Sequence, residues 1–292
     1  MAVAEIERAP AFKRRGYWAG VARRLMRDRV AILCLAILAA LVLSAIFAPL
    51  LPIQDPYQAS MVARLKPIGT AGHPLGTDEQ GRDMLARLIY GGRLTLMIGL
   101  MPVAIAFFIG STLGIVAGYI GGRVNTLIMR SIDVFFAFPS VLLAIAISGA
   151  LGAGILNSLV SLSVVFVPPI TRVAESVTSA VRSADYIEAA RASGGNALTI
   201  MRVHVLGNVL GPIFVYASSL TSVCMILAAG LSFLGVGVKP PEPEWGLMLN
   251  TLRTAIYMNP MVAALPGLMI FVTSLCLNLL SDGLRSAMNV KE

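Results

Sequence analysis

The chain has 292 residues, of which 57% are hydrophobic and 13% charged; Lys plus Arg number 23 against 15 acidic residues, a formal net charge of +8. Soluble domains carry about 25% charged residues, so this composition excludes an ordinary soluble domain and points to an all-α polytopic membrane protein. The basic excess is what a positive-inside bias produces and calls for no nucleic-acid partner.

Residues 1–29 form a basic arm with Arg8, Lys13, Arg14, Arg15, Arg23, Arg24, Arg27 and Arg29. Within it, YWAGVARRLMRDR puts Trp18, Val21, Leu25 and Met26 on one helical face, which predicts an amphipathic helix lying on the membrane surface. The apolar run that follows is too long for a signal-peptide core and is read as an uncleaved first span, residues 30–53. Residues 54–92 form the first loop on the far side. Arg93 and Arg123 bracket a second span, with Gly99, Gly110, Gly114 and Gly118 inside it, small residues that let helices approach closely. Asp133 to Arg172 enclose a charge-free run of about 38 residues, too long for one helix but suited to two. Their hinge is SGALGAGILNS, residues 148–158. Spans five and six are expected over 211–238 and 262–280, and residues 93–284 together form a five-helix core. Pro139, Pro168 and Pro169 predict kinks or helix ends in spans three and four.

Six spans place both termini on one side. The arm, Arg123 and Arg130, then Arg172, Arg182, Arg191 and Arg202, then Arg285 and Lys291 of the tail 285–292 share that side, which is therefore expected to be cytoplasmic. Arg64, Lys66, Arg82, Arg87 and Arg93 count against it in the opposite loop.

The longest internal loop on the cytoplasmic side, 182–210, contains ADYIEAARASGGNALTIMRVHVL, residues 184–206. Asp185 is a candidate cap for a short helix, Gly194 and Gly195 break it, and Asn196 caps a second short helix expected to end at Gly207. Two short helices about a glycine turn make a knob whose small residues admit another protein's surface. Near the same side lie Asp133 beside Arg130, and Arg172 with Glu175 at i and i+3, read as structural or inner-gate pairs. Nothing charged falls at mid-membrane, which argues against a proton-coupled carrier and for a path lined by Ser, Thr and backbone groups. No catalytic set lies inside the spans. His73 and His204 are isolated, and Cys34, Cys224 and Cys276 sit apart in apolar runs as small hydrophobes, so no metal site is expected.

EAARASG, residues 188–194, resembles the EAA loop of ABC-importer permeases; Leu206 continues the pattern, whereas Gly207 stands where it usually has proline. HPLGTDEQGRDMLARLIYGGRLTL (73–96), DVFFAFPSVLLAIAI (133–147) and LSFLGVGVKPPEPEWGLML (231–249) are similar to the C-type permease subunit of dipeptide, oligopeptide and nickel importers. The resemblance implies a type I importer permease fold in the bacterial inner membrane. It implies an ATPase-coupling contact built from Tyr186, Glu188, Ala189, Ala190, Arg191, Gly194 and Gly195. It also implies a paralogous B-type permease, two cytoplasmic ATPase subunits that hold ATP and Mg, and an extracytoplasmic binding protein. The chain itself has no GxxxxGK[ST] loop, so it is not expected to be an enzyme or to hold a cofactor. The loop 54–92 and the KPPEPEWG segment should meet the binding protein, with Glu244 and Trp245 as docking contacts or Trp245 as an interfacial anchor. Peptides are the expected cargo; nickel or another small solute is the alternative.

Overall fold

The structure, a computed structural model, describes residues 17–288, so the arm before Tyr17 lies outside the described residues. Helix α1 (Tyr17–Leu25) is short and amphipathic and buries Val21. Asp28 then accepts the N–H groups of Val30 and Ala31 at 2.9 and 3.3 Å and starts α2 (Arg29–Ile46), the first membrane-length helix. Helix α3 (Met84–Ile120) is opened by Asp83, whose carboxylate accepts the N–H of Ala86 at 2.8 Å.

Gly121 and Gly122, at φ +72° and +54°, end α3 and turn the chain into α4 (Gly122–Phe136). Pro139 then opens α5 (Ser140–Leu151), and the two helices meet at 86°. Helix α6 (Ile155–Arg182) returns with Pro168 and Pro169 inside it. Helix α7 (Asp185–Ala192) and α8 (Ala197–Ile200) follow, and a wide π turn, Met201–Val205, runs directly into α9 (Leu206–Phe233). Helix α10 (Trp245–Thr251) is short; α11 (Pro260–Met288) closes the fold.

Five of these helices are long and apolar enough to cross a membrane, and the bent pair α4–α5 makes a sixth when counted as one broken span. Span three is thus bent and not one straight helix. The 12 residues of α5 rise about 18 Å, well short of a hydrocarbon core about 30 Å thick, and α4 crosses its partner instead of continuing the line. The charge-free run hid this because the break at residues 137–139 carries no charge, so the end of α4 and all of α5 read as one apolar stretch. The hinge between spans three and four falls inside the expected segment, at residues 152–154.

The three inner helices α3, α6 and α9 share one core, with Leu162, Ile170 and Ile213 fully buried. Close approach of α3 to α6 depends on absent side chains. A Cβ on Gly110 would lie 3.0 Å from the Cβ of Ile170, one on Gly114 2.5 Å from that of Ala174, and one on Gly118 2.7 Å from the carbonyl oxygen of Glu175. Gly99 instead faces Met225 of α9. Helix α2 packs on α11 through Cys34, Leu38 and Cys276, and all three cysteines are buried free thiols.

Opposite ends of the bundle are tied by different contacts. At one end Arg24 donates to the carbonyl of Ala287, Met288 closes on Gly211, and Arg182 covers Gly121, so both ends of the described chain and the 182–210 loop lie together. At the other, residues 54–83 fold against the 239–259 segment. There Asp78 accepts from Arg82 Nε at 2.7 Å and lies 3.3 Å from Arg87 Nε, and Thr254 donates to Glu79 at 2.7 Å. Arg93 donates to the last carbonyls of α2, those of Ala45 and Ile46. Arg82 and Arg87 are buried, so three of the five basic residues that opposed the expected orientation are tied up in the fold.

Candidate functional site: the knob between α6 and α9

The loop stands on an apolar base. Ile187 and Ile200 point into the bundle and are buried, while Tyr186, Glu188, Ala189, Arg191 and residues 192–199 are exposed and Ala190 is half-buried. Every third or fourth residue anchors and the intervening ones face out, as on any short amphipathic helix. Asp185 is not the cap: α7 starts on Ala184, and Asp185 occupies the first helical position with Glu188 in the same turn, where both carboxylates oppose the positive end of the dipole. Gly194 takes φ +82° after α7 and donates to the carbonyl of Arg191 at 3.0 Å; Gly195 donates to that of Ala190 at 3.1 Å. The close approach within the knob belongs to Gly195, whose Cβ would lie 2.8 Å from the Ala190 oxygen; a Cβ on Gly194 meets nothing.

Asn196 does cap the second arm, accepting the N–H of Thr199 at 2.8 Å. That arm does not end at Gly207. It continues through the π turn into α9, giving one helical run, Ala197–Phe233, of 37 residues. Asn208 ties the run back to the first arm, donating to the Tyr186 hydroxyl at 3.3 Å.

The predicted charge pairs are rearranged. Arg172 bonds Asp133 across the α4–α6 crossing, and its guanidinium lies 4.2 Å from the centre of the Phe136 ring. Neither the Arg130–Asp133 nor the Arg172–Glu175 pair forms: Glu175 accepts instead from Asn125 at 2.7 Å and Ser179 at 3.0 Å. Helical spacing could not foresee a pair between elements 39 residues apart.

Glu244 and Trp245 are also corrected. Both are buried, so neither side chain is a docking surface or an interfacial anchor. Glu244 caps α10, accepting the N–H groups of Gly246 and Leu247 at 2.9 and 2.8 Å. Burial pushes its carboxyl above the usual range, and those two N–H groups pull partly back. Trp245 lies against Gly91 and Gly92, whose missing side chains make room for the indole. Exposed apolar groups of that end include Ile256, Tyr257, Met258 and Met261, with Met61 and Val62 on the 54–83 segment. His73 bonds Asp83 at 3.0 Å, and no metal-holding cluster exists among the described residues.

Several span hydroxyls are spent within their own helices. Ser161, Ser163, Thr171 and Thr273 are buried and donate to carbonyls four residues back on their own helices. A cleft of about 650 Å³ between α9 and α11 is mainly apolar, with Ser222, Ser274 and Asn278 in its walls.

The fold is a multi-helix bundle of membrane-length helices that exposes a small-residue knob between α6 and α9. The chain belongs to the family of binding-protein-dependent transport system inner membrane components, whose profile matches residues 110–290. Residues 16–67 match the N-terminal transmembrane domain of oligopeptide transport permease C. The chain is 39% identical over 274 residues to a glutathione transport system permease protein of Pectobacterium atrosepticum, covering 94% of this chain and 91% of the relative. It is 41% identical over 256 residues to a di/tripeptide transport system permease protein of Pseudomonas aeruginosa, covering 86% and 84%. A dipeptide transport system permease protein of Alkalihalophilus pseudofirmus is 39% identical, with coverage of 94% and 90%. The chain is a multi-pass inner-membrane permease subunit of a binding-protein-dependent transport system.

Proposed function

We propose that this chain is the C-type permease of an ATP-driven importer of di- or oligopeptides. It pairs with a B-type paralogue to enclose the path, receives cargo from an extracytoplasmic binding protein, and is moved by two cytoplasmic ATPase subunits that hold ATP and Mg. The names of the three relatives favour peptide cargo over nickel. The observation that carries the reading is the knob: buried on Ile187 and Ile200, exposed from Arg191 to Thr199, in a chain without a phosphate-binding loop. Its co-location with both ends of the described chain, and the internal partners of Arg82, Arg87 and Arg93, support a cytoplasmic knob. ATP binding closes the ATPase pair, the knob follows, and the helices exchange between outward-open and inward-open arrangements.

The test combines Gly194→Asp with Glu188→Lys. Gly194 has a left-handed φ that a side chain strains, and the added carboxylate faces the approaching partner. Membrane insertion is expected to survive while peptide uptake is lost. Uptake at the wild-type rate by an inserted double variant would sink the assignment of the knob.

A further inference from the structure

The knob is covalently continuous with α6 through Ser183 and Ala184 and with α9 through the π turn, but α3 reaches it only through non-covalent contacts. Tyr119, one residue from the end of α3, touches both arms. Its hydroxyl donates to the carbonyl of Ala197, after the glycine turn, at 3.2 Å. Its ring lies 5.9 Å from the guanidinium carbon of Arg191, before the turn. The side chain is buried in the same core as Ile187 and Ile200. A phenol that is nearly enclosed yet spends its polar tip and its ring face on opposite sides of one turn fixes the separation of the two arms and their height above α3. From α3 the contact passes to α6, because Gly114 and Gly118 seat backbone against backbone there.

We propose that Tyr119 is a positioning residue for energy coupling: it clamps both arms of the knob to the end of α3, so that a displacement of the knob moves α3 and α6 together. The proposal rests on the reading of the knob as the ATPase contact. Without the clamp the knob follows the ATPase subunits while α3 lags, and ATP is hydrolysed without transport. Tyr119→Leu keeps an apolar side chain in the core and removes both contacts. Tyr119→Phe keeps the ring under Arg191 and removes only the hydrogen bond.

The complex is purified through a tag on this chain, reconstituted in proteoliposomes with its binding protein, and assayed for dialanine taken up per ATP hydrolysed. Tyr119→Leu is expected to lower that ratio by about twofold to thirtyfold, the range of coupling effects produced by contacts of this kind, with ATPase subunits co-purifying in wild-type amount. Tyr119→Phe is expected to restore most of it. A wild-type ratio in Tyr119→Leu overturns the proposal, and so does loss of the ATPase subunits, which makes the residue a support of docking only.

A second measurement needs no substrate. Spin labels on Ala192→Cys in the knob and Thr112→Cys on α3 are both exposed, and the three native cysteines are buried. Their separation is expected to stay constant between nucleotide-free and ATP–vanadate states in the otherwise native complex and to change in Tyr119→Leu. Equal behaviour of the two proteins overturns the clamp. Should the wild-type complex hydrolyse ATP and import no dialanine, the peptide reading fails while this distance still decides the clamp.

Discussion

The indole N–H of Trp245 donates to the main-chain carbonyl of Leu88 at 2.8 Å. It joins the short helix α10 to α3, and a Cβ on Gly91 would stand 3.1 Å from the indole Cδ1 and 2.6 Å from the carbonyl of Pro243. Trp245→Phe is expected to cost about 1–2 kcal/mol through the lost bond and volume, and Gly91→Ala about 1–3 kcal/mol by overpacking. Thermal unfolding of the detergent-solubilised protein checks both. A midpoint unchanged in either variant contradicts the seat described for Trp245.

Gly114→Leu should force α3 off α6, since even a Cβ there lies 2.5 Å from that of Ala174. Loss of the folded, monodisperse protein on size-exclusion chromatography is the expected result. Gly149→Ala, at a glycine with open space around it, should be tolerated. Equal behaviour of the two would show that close packing is not what Gly114 provides.

Glu244 gives a pH dependence with a definite sign. Its carboxyl is raised in the folded state by burial, so between the unfolded value of about 4.3 and the raised folded value the native protein holds the proton that the unfolded chain has released. The stabilisation is complete below the unfolded value and is lost as pH rises through the folded one. Unfolding midpoints measured from pH 4.5 to 8 should fall more steeply with pH in the native protein than in Glu244→Gln, which cannot titrate. Parallel curves would mean that Glu244 is already ionised at no cost.

The Asp133–Arg172 pair should matter little for stability. Both side chains are about half exposed, 46% and 49%, and such pairs contribute about 0–1 kcal/mol. Arg172→Gln is therefore expected to shift the unfolding midpoint slightly. A large shift would show that the pair is shielded from solvent in the assembled protein. Transport tells more: if the pair latches α4 to α6 as an inner gate, the exchange variant Asp133→Arg with Arg172→Asp should recover uptake that each single change loses.

Orientation is checked with cysteines at Tyr257, which is 91% exposed, and at Ala192, which is exposed on the knob. In intact cells an impermeant thiol reagent should label the first and spare the second. The opposite pattern would put the knob outside the cell and end the coupling argument.

Much of the fold was readable because hydrocarbon imposes a coarse rule: apolar runs of membrane length are helices, and charges mark their ends. The rule fails where charges are neutralised inside the protein. Helix α3 starts at Met84 rather than after Arg93, because Arg87 is held by Asp78 and by the carbonyl of Pro56. It fails again at the end of α4, where Val134, Phe135 and Phe136 carry the charge-free run across the bend before α5. At the knob, the glycine turn and the Asn196 cap were legible because each is a local backbone requirement. Glu244 and Trp245 read as surface groups since Pro-rich, charged segments usually are; the Gly91–Gly92 pair facing Trp245 was the sequence signal of its burial, but only pairing across 154 residues gives it meaning. Tyr119 carried no signal at all, being one aromatic at the end of an apolar run.

The π turn at Met201–Val205 sets the heading of the knob. Ile200 and Val205 are five residues apart and both buried; at about 100° per residue an α-helix would place them some 140° apart, whereas i→i+5 winding brings them to one side. The turn therefore holds one surplus residue between knob and span. Rewinding this stretch to an ordinary α-helix with no residue removed would swing the knob about 100° around the axis of α9, carrying Glu188 and Arg191 away from the direction they now face, whereas deleting the surplus residue would put Ile200 and Val205 four apart, about 40° from each other, and keep the heading. The direction in which the knob faces is thus set by the winding of five residues at its base, none of them part of its exposed surface from Arg191 to Thr199.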